Sequence, residues 1–167
     1  MLSAVSAGAA QSLLLLDYPD KFAWVGSFSP GFDMYNTKWG TPEMPPSANG
    51  QRALVPADRF PALFPNLDAK ANSQFRLIYI ACGTNDDHLN VTRQFHEWLD
   101  SKKIKIICVE GQGDTHSYSF WRPQLTTFAA MLFKPVVNNK GLIRDLSGQV
   151  RIMGRCKTET FMPRFGE

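Results

Sequence analysis

Hydrophobic positions along the chain fall into two periods. Phe75–Cys82 (FRLIYIAC) is a continuous β-branched and aromatic run, the pattern of a strand buried on both faces. Phe22–Phe28 and Ile104–Val109 (IKIICV) follow the same pattern, and Met1–Val5 reads as the end of another strand. Elsewhere the period lengthens. Val91, Phe95, Trp98 and Leu99 fall at i, i+4, i+7 and i+8 and predict an amphipathic helix over 90–101. Trp121, Leu125, Phe128, Ala129 and Leu132 predict another over 119–133. Gly8–Asp17, rich in Ala, Gln and Leu, predicts a helix stopped by Tyr18-Pro19-Asp20. Asp58–Leu63 predicts a short helix, and residues 29–57, broken by Gly31, Gly40, Pro42, Pro45, Pro46 and Gly50, a long loop.

Strands alternating with helices imply an α/β domain around a mostly parallel sheet, with right-handed crossovers. Residues 1–134 form that domain. Pro135 stops the last helix, and residues 135–167 carry only short apolar pieces. The pattern leaves that tail open between disorder and the start of a further module.

Charge sharpens the division. Residues 1–133 hold 11 Lys/Arg and 12 Asp/Glu, and residues 134–167 hold 7 and 3. The net charge of +3 lies in the tail and is too small to argue for a nucleic-acid partner. No run reaches the roughly 18 apolar residues of a membrane span. Cys82, Cys108 and Cys156 form no CxxC pair, and Cys82 and Cys108 sit in strand-like runs as expected buried thiols. His88, His96 and His116 are spaced too widely to suggest a zinc site, so no metal and no cofactor is expected.

The candidate chemistry sits at the strand ends. Ala4-Val5-Ser6-Ala7-Gly8 places a serine among small residues between a strand and a helix. That is the nucleophile-elbow pattern, where strand and helix pass closely and the hydroxyl stands clear of the backbone. A helix N-terminus there favours developing negative charge, and the Ala7 N–H is the expected oxyanion donor. Gly83-Thr84-Asn85-Asp86 follows the strand over 75–82, so Asp86 falls on the ligand-binding edge of a parallel sheet. Gly111–His116 follows the next strand and leaves the same edge. The order Ser6, Asp86, His116 is that of an α/β-hydrolase triad.

The run Ser6–Gly26 (SAGAAQSLLLLDYPDKFAWVG) resembles the elbow region of carbohydrate esterase family one, the feruloyl and acetyl-xylan esterases among the esterase D-like hydrolases. Leu63-Phe64-Pro65-Asn66, Ile80–Asp86 and Thr115-His116 with Trp121 and Arg122 extend the likeness over about residues 3–133. Ala4 and Ala9 stand where that family usually has glycine. The resemblance implies an α/β-hydrolase fold with Ser6 as nucleophile, Asp86 as orienting acid and His116 as general base. It implies an acyl-enzyme and no cofactor. Gln11 and Trp121 become candidate substrate-binding residues, the substrate an ester-substituted polysaccharide or oligosaccharide such as xylan, and the location secreted or periplasmic. It also implies that the N-terminal half of the sheet lies upstream of Met1, so that the chain is a C-terminal part, poorly stable and inactive or weakly active alone. Another α/β-hydrolase esterase, acting on siderophore, acyl-glutathione or lipid esters, or a non-catalytic remnant that binds glycan, remain the alternatives.

Simpler readings stand beside these. Ser6 could be a helix cap, Asp87 could replace Asp86, and His116 could be a plain loop histidine. Trp121 could wall the site or fill a helix core. His96 is expected at the surface, His88 at the cleft rim or outside it, and Asp114 as a solvated loop charge. Phe32, Tyr35 and Trp39 could meet substrate or pack over the domain.

Overall fold

A computed structural model of the chain describes residues 2–5, 12–32, 50–51, 54–133, 142–144 and 150–152. Four parallel strands, β1 (Leu2–Val5), β2 (Trp24–Phe28), β3 (Leu77–Gly83) and β4 (Ile107–Gly111), lie side by side in chain order. The register aligns Val5, Phe28, Ala81 and Val109 in one row across the sheet.

Side chains alternate between the two faces, as a pleat requires. Val25, Ile78 and Ile80 enter one core, and Phe28, Leu77, Tyr79 and Ala81 the other. The first core is covered by the 3-10 turn Leu14–Asp17, α1 (Arg59–Leu63), α2 (Ala71–Gln74) and α3 (Leu89–Ser101). The described parts of the connections between successive strands therefore lie on one face, which gives the crossovers a common hand. α4 (Tyr118–Met131) covers the opposite face.

The strands begin later than the apolar runs suggest. The backbone N–H groups of Arg76 and Leu77 both donate to the Ala23 carbonyl, and pairing with β2 starts only there. Ile104 N–H closes onto Leu99 at the end of α3, and Lys105 N–H donates to the Asn72 side chain. These residues finish the preceding helices before β4 starts. The predicted helix over 8–17 is described only from Ser12, and its last turn tightens to 3-10 geometry. α2 is a single polar turn with no hydrophobic period to reveal it.

The buried face of α3 carries the predicted Val91, Phe95 and Leu99. The predicted face of α4 needs correction. Phe120, Gln124 and Phe128 point inward, while Leu125 is exposed. Gln124 accepts a 2.6 Å hydrogen bond from the Tyr79 hydroxyl in the core. A satisfied buried amide thus takes the place of an apolar residue and masks the helix period. His96 is also buried rather than at the surface, with Nε2 3.7 Å from Asp100 one turn on. In the tail, β5 (Leu142–Arg144) and β6 (Val150–Ile152) pair antiparallel. No helix among the described residues is long and apolar enough to cross a membrane.

Candidate active site

Two loops leave the same edge of the sheet, one after β3 and one after β4. Hydrogen bonds from both backbone and side chains join them. Thr84 N–H donates to the Gly111 carbonyl and Asn85 N–H to the Asp114 carbonyl, both at 2.8 Å. The Asn85 side-chain amide donates to the Gly113 carbonyl at 3.1 Å, and Gly113 N–H donates to the Thr84 hydroxyl at 2.8 Å. Such close approach requires glycine at two strand ends. A methyl group at Gly83 would overlap the Asp114 carbonyl, and one at Gly111 would overlap the Asp114 carboxylate and the Phe120 ring. Asp114 thus serves through its backbone, and it is half-buried rather than solvated.

The joined loops bring Asp86 and His116 together across 30 residues of sequence. His116 Nδ1 lies 3.0 Å and 3.1 Å from the two Asp86 carboxylate oxygens. A carboxylate accepts, so Nδ1–H is the donor of this bond, and in the neutral ring of that tautomer Nε2 keeps a lone pair. Asp86 is fully buried and His116 is partly open to solvent. The His88 backbone N–H donates to Asp86 Oδ1 at 3.0 Å, which fixes the carboxylate from behind. The Asp86 carbonyl is held by the Gln51 side chain at 3.0 Å. Burial, then the Asp86 charge, pushes the nearby Cys82 thiol far above the usual cysteine range, so it stays neutral behind the carboxylate.

Trp121 packs against the core beneath α4 and also meets the aspartate–histidine pair. Its ring meets the His116 imidazole edge-on, with centroids 4.9 Å apart and planes at 89°. The indole N–H donates to the Ser29 hydroxyl at 2.9 Å. Ser29 itself sits at φ 56°, a left-handed conformation uncommon for a residue with a side chain. It is fully buried, directly after β2. Trp121 is therefore both anchored and aimed.

His88 was the residue the sequence undervalued. It is buried rather than at a rim, and its ring stands 4.7 Å from that of His116. The wide spacing of the histidines gave no reason to group them, yet ligand atoms of Asp86, Asp87, His88 and His116 all lie within 4.8 Å of one another. The signal was present in Asp86-Asp87-His88, three potential ligands in a row at a strand end. Phe32 packs against Phe60 and Phe95 and belongs to the core, not to a substrate surface. Ser6, Ala7, Gln11, Tyr35, Trp39 and Cys156 lie outside the described residues. Ser6 is the residue that follows Val5, the last of β1, in the row with Phe28.

A parallel sheet with helices on both faces and an aspartate–histidine pair at its carboxyl edge defines an α/β-hydrolase fold. Residues 3–132 match the Esterase family, described as "Putative esterase", and the chain belongs to that family. S-formylglutathione hydrolase from Staphylococcus aureus superimposes with a TM-score of 0.51 at 17% identity, over 77% of this chain and 52% of that one. A ferulic acid esterase matches at a TM-score of 0.48 and 16% identity, over 74% of this chain and 47% of that one. The chain thus spans about half the length of these solved structures.

Proposed function

We propose that the chain carries the catalytic residues of a serine carboxylic-ester hydrolase, with Ser6 as nucleophile, His116 as general base and Asp86 as its orienting acid. The observation behind this reading is the Asp86–His116 hydrogen bond at the carboxyl edge of the sheet, on loops that leave the edge where β1 ends. His116 Nε2 takes the Ser6 hydroxyl proton as Oγ attacks the ester carbonyl. Asp86 keeps Nδ1 protonated and stabilises the imidazolium that forms. The Ala7 N–H stabilises the oxyanion, a donor typically worth ~3 kcal/mol of barrier. The imidazolium then protonates the departing alkoxide. Water, deprotonated at Nε2, releases the acid from the acyl-serine.

For the substrate we favour an acetyl or feruloyl ester on xylan, with Gln11 and Trp121 contacting it, in a secreted or periplasmic protein. This rests on the resemblance of Ser6–Gly26 to carbohydrate esterase family one. Labelling of the full chain with a fluorophosphonate probe tests the nucleophile. Wild type is expected to label, and Ser6→Ala and His116→Ala to lose labelling by at least ~10³-fold in rate. Labelling retained in Ser6→Ala would sink the assignment. Hydrolysis rates on acetylated xylan, methyl ferulate and an acyl-glutathione thioester then rank the substrates, and preference for the thioester would replace the xylan reading.

A further inference from the structure

Asp87 and His88 have no side-chain task in the relay just described, yet both face it. His88 Nδ1 lies 3.7 Å from Asp86 Oδ1 and 4.0 Å from Asp87 Oδ1, while His116 Nδ1 lies 3.0 Å from Asp86 Oδ2. A tetrahedral zinc ion with bonds of about 2.0–2.2 Å holds its ligand atoms about 3.4 Å apart. These three separations bracket that value and all four ligand atoms lie within 4.8 Å of one another, so side-chain shifts of about an ångström would close the ligand set. We propose that Asp86, Asp87, His88 and His116 form a divalent transition-metal site whose filling switches the proton relay off.

The donor set selects the ion. Two imidazole nitrogens favour zinc, cobalt, nickel or copper over magnesium and calcium, and two carboxylates balance the charge. Three of the four ligands are consecutive on one short turn. That turn is held by Leu89 N–H on the Asp86 carbonyl and by the Thr92 N–H and hydroxyl on the His88 carbonyl. Asp87 and His116 are partly exposed, which gives an ion a way in.

His116 must exchange a partner. Its Nδ1 releases the hydrogen bond to Asp86 and gives its lone pair to the metal. The proton that left Nδ1 is replaced by one on Nε2, so the neutral ring changes tautomer with no redox step. Nε2 then has no lone pair for a serine proton. Metal and general-base function exclude each other at one imidazole. The inhibition clause rests on the proposed esterase reading, whereas binding of the ion does not.

Titration of the metal-free full chain with Co²⁺, followed by visible absorption, and with Zn²⁺ by calorimetry, tests the site. One ion per chain is expected, with affinity lowered at least ~10-fold by His88→Gln and by Asp87→Asn. His96→Gln, which alters the neighbouring His96–Asp100 pair, should leave affinity unchanged. Circular dichroism checks folding, and the more exposed Asp87→Asn carries the test where His88→Gln unfolds. Absence of binding, or binding undiminished by Asp87→Asn, overturns the proposal. Zinc should also slow aryl-acetate hydrolysis reversibly, less so in Asp87→Asn. Ser6→Ala separates the two readings. It should end hydrolysis and leave the cobalt titration unmoved, and hydrolysis persisting in it would remove the esterase reading while the metal site stands.

Discussion

The two faces of the sheet are built on different principles. Beneath α1 and α3 the core is built around an aromatic cluster. Phe32, Phe60, Phe64, Phe95 and Trp98 meet ring to ring with centroids 4.6–5.7 Å apart. Beneath α4 the aromatic packing of Phe28, Tyr79 and Phe128 is threaded by directional contacts. Tyr79 bonds Gln124, Trp121 bonds Ser29, and Gly26 leaves room for the Phe128 ring, which would lie 2.9 Å from a β-carbon there. Apolar burial is non-directional and supplies stability. Hydrogen bonds fix orientation; on the first face Gln94 of α3 pairs with the Val55 backbone, and on the second the bonds of Tyr79 and Trp121 hold the helix that stands against His116. The Asp86-bearing loop draws on both, since it caps the strand between the two cores.

The contrast can be broken most severely at Phe95, the residue that touches most of the aromatic cluster. Phe95→Ala should lower unfolding free energy by about 3–5 kcal/mol in urea titrations, with little change in fluorophosphonate labelling rate while the protein stays folded. Gly83→Ala should do the reverse in kind. It forces the two site loops apart and should cost about 1–3 kcal/mol through overpacking, but labelling should fall further than stability does. An equal effect on both measurements would show that loop contact has no special part in positioning His116. Asp17→Asn should have the smallest effect. Burial raises the Asp17 carboxyl above its ordinary value, partly offset by a hydrogen bond from the Asn66 backbone N–H. A raised folded-state value means that stability is lost as pH rises past about 4. The asparagine variant should therefore melt slightly higher than wild type at neutral pH, and the gap should close below the carboxylate range.

Much of this was legible in the chain. The strand runs and the Val91–Phe95–Leu99 stripe follow directly from burial on two faces or one. Asp86 and His116 were readable because each follows a strand, and parallel strands deliver their carboxyl ends to one edge. The remainder depended on contacts distant in sequence. Gln124 looks polar until Tyr79 is seen to satisfy it. His96 looks exposed on its own helix, and its burial comes from what packs around it. His88 and His116 meet only because Thr84 and Asn85 tie their loops together, a register that spacing alone cannot supply.

Strand order along the sheet matches chain order, with β1 beside β2, β2 beside β3 and β3 beside β4. Each new strand can therefore be laid on an edge that already exists, without prising open a finished pair. A polypeptide emerging from the ribosome can grow this sheet in one direction, which limits the time any apolar edge waits for its neighbour. In the proposed relay His116 is the last residue to be synthesised, after all four parallel strands.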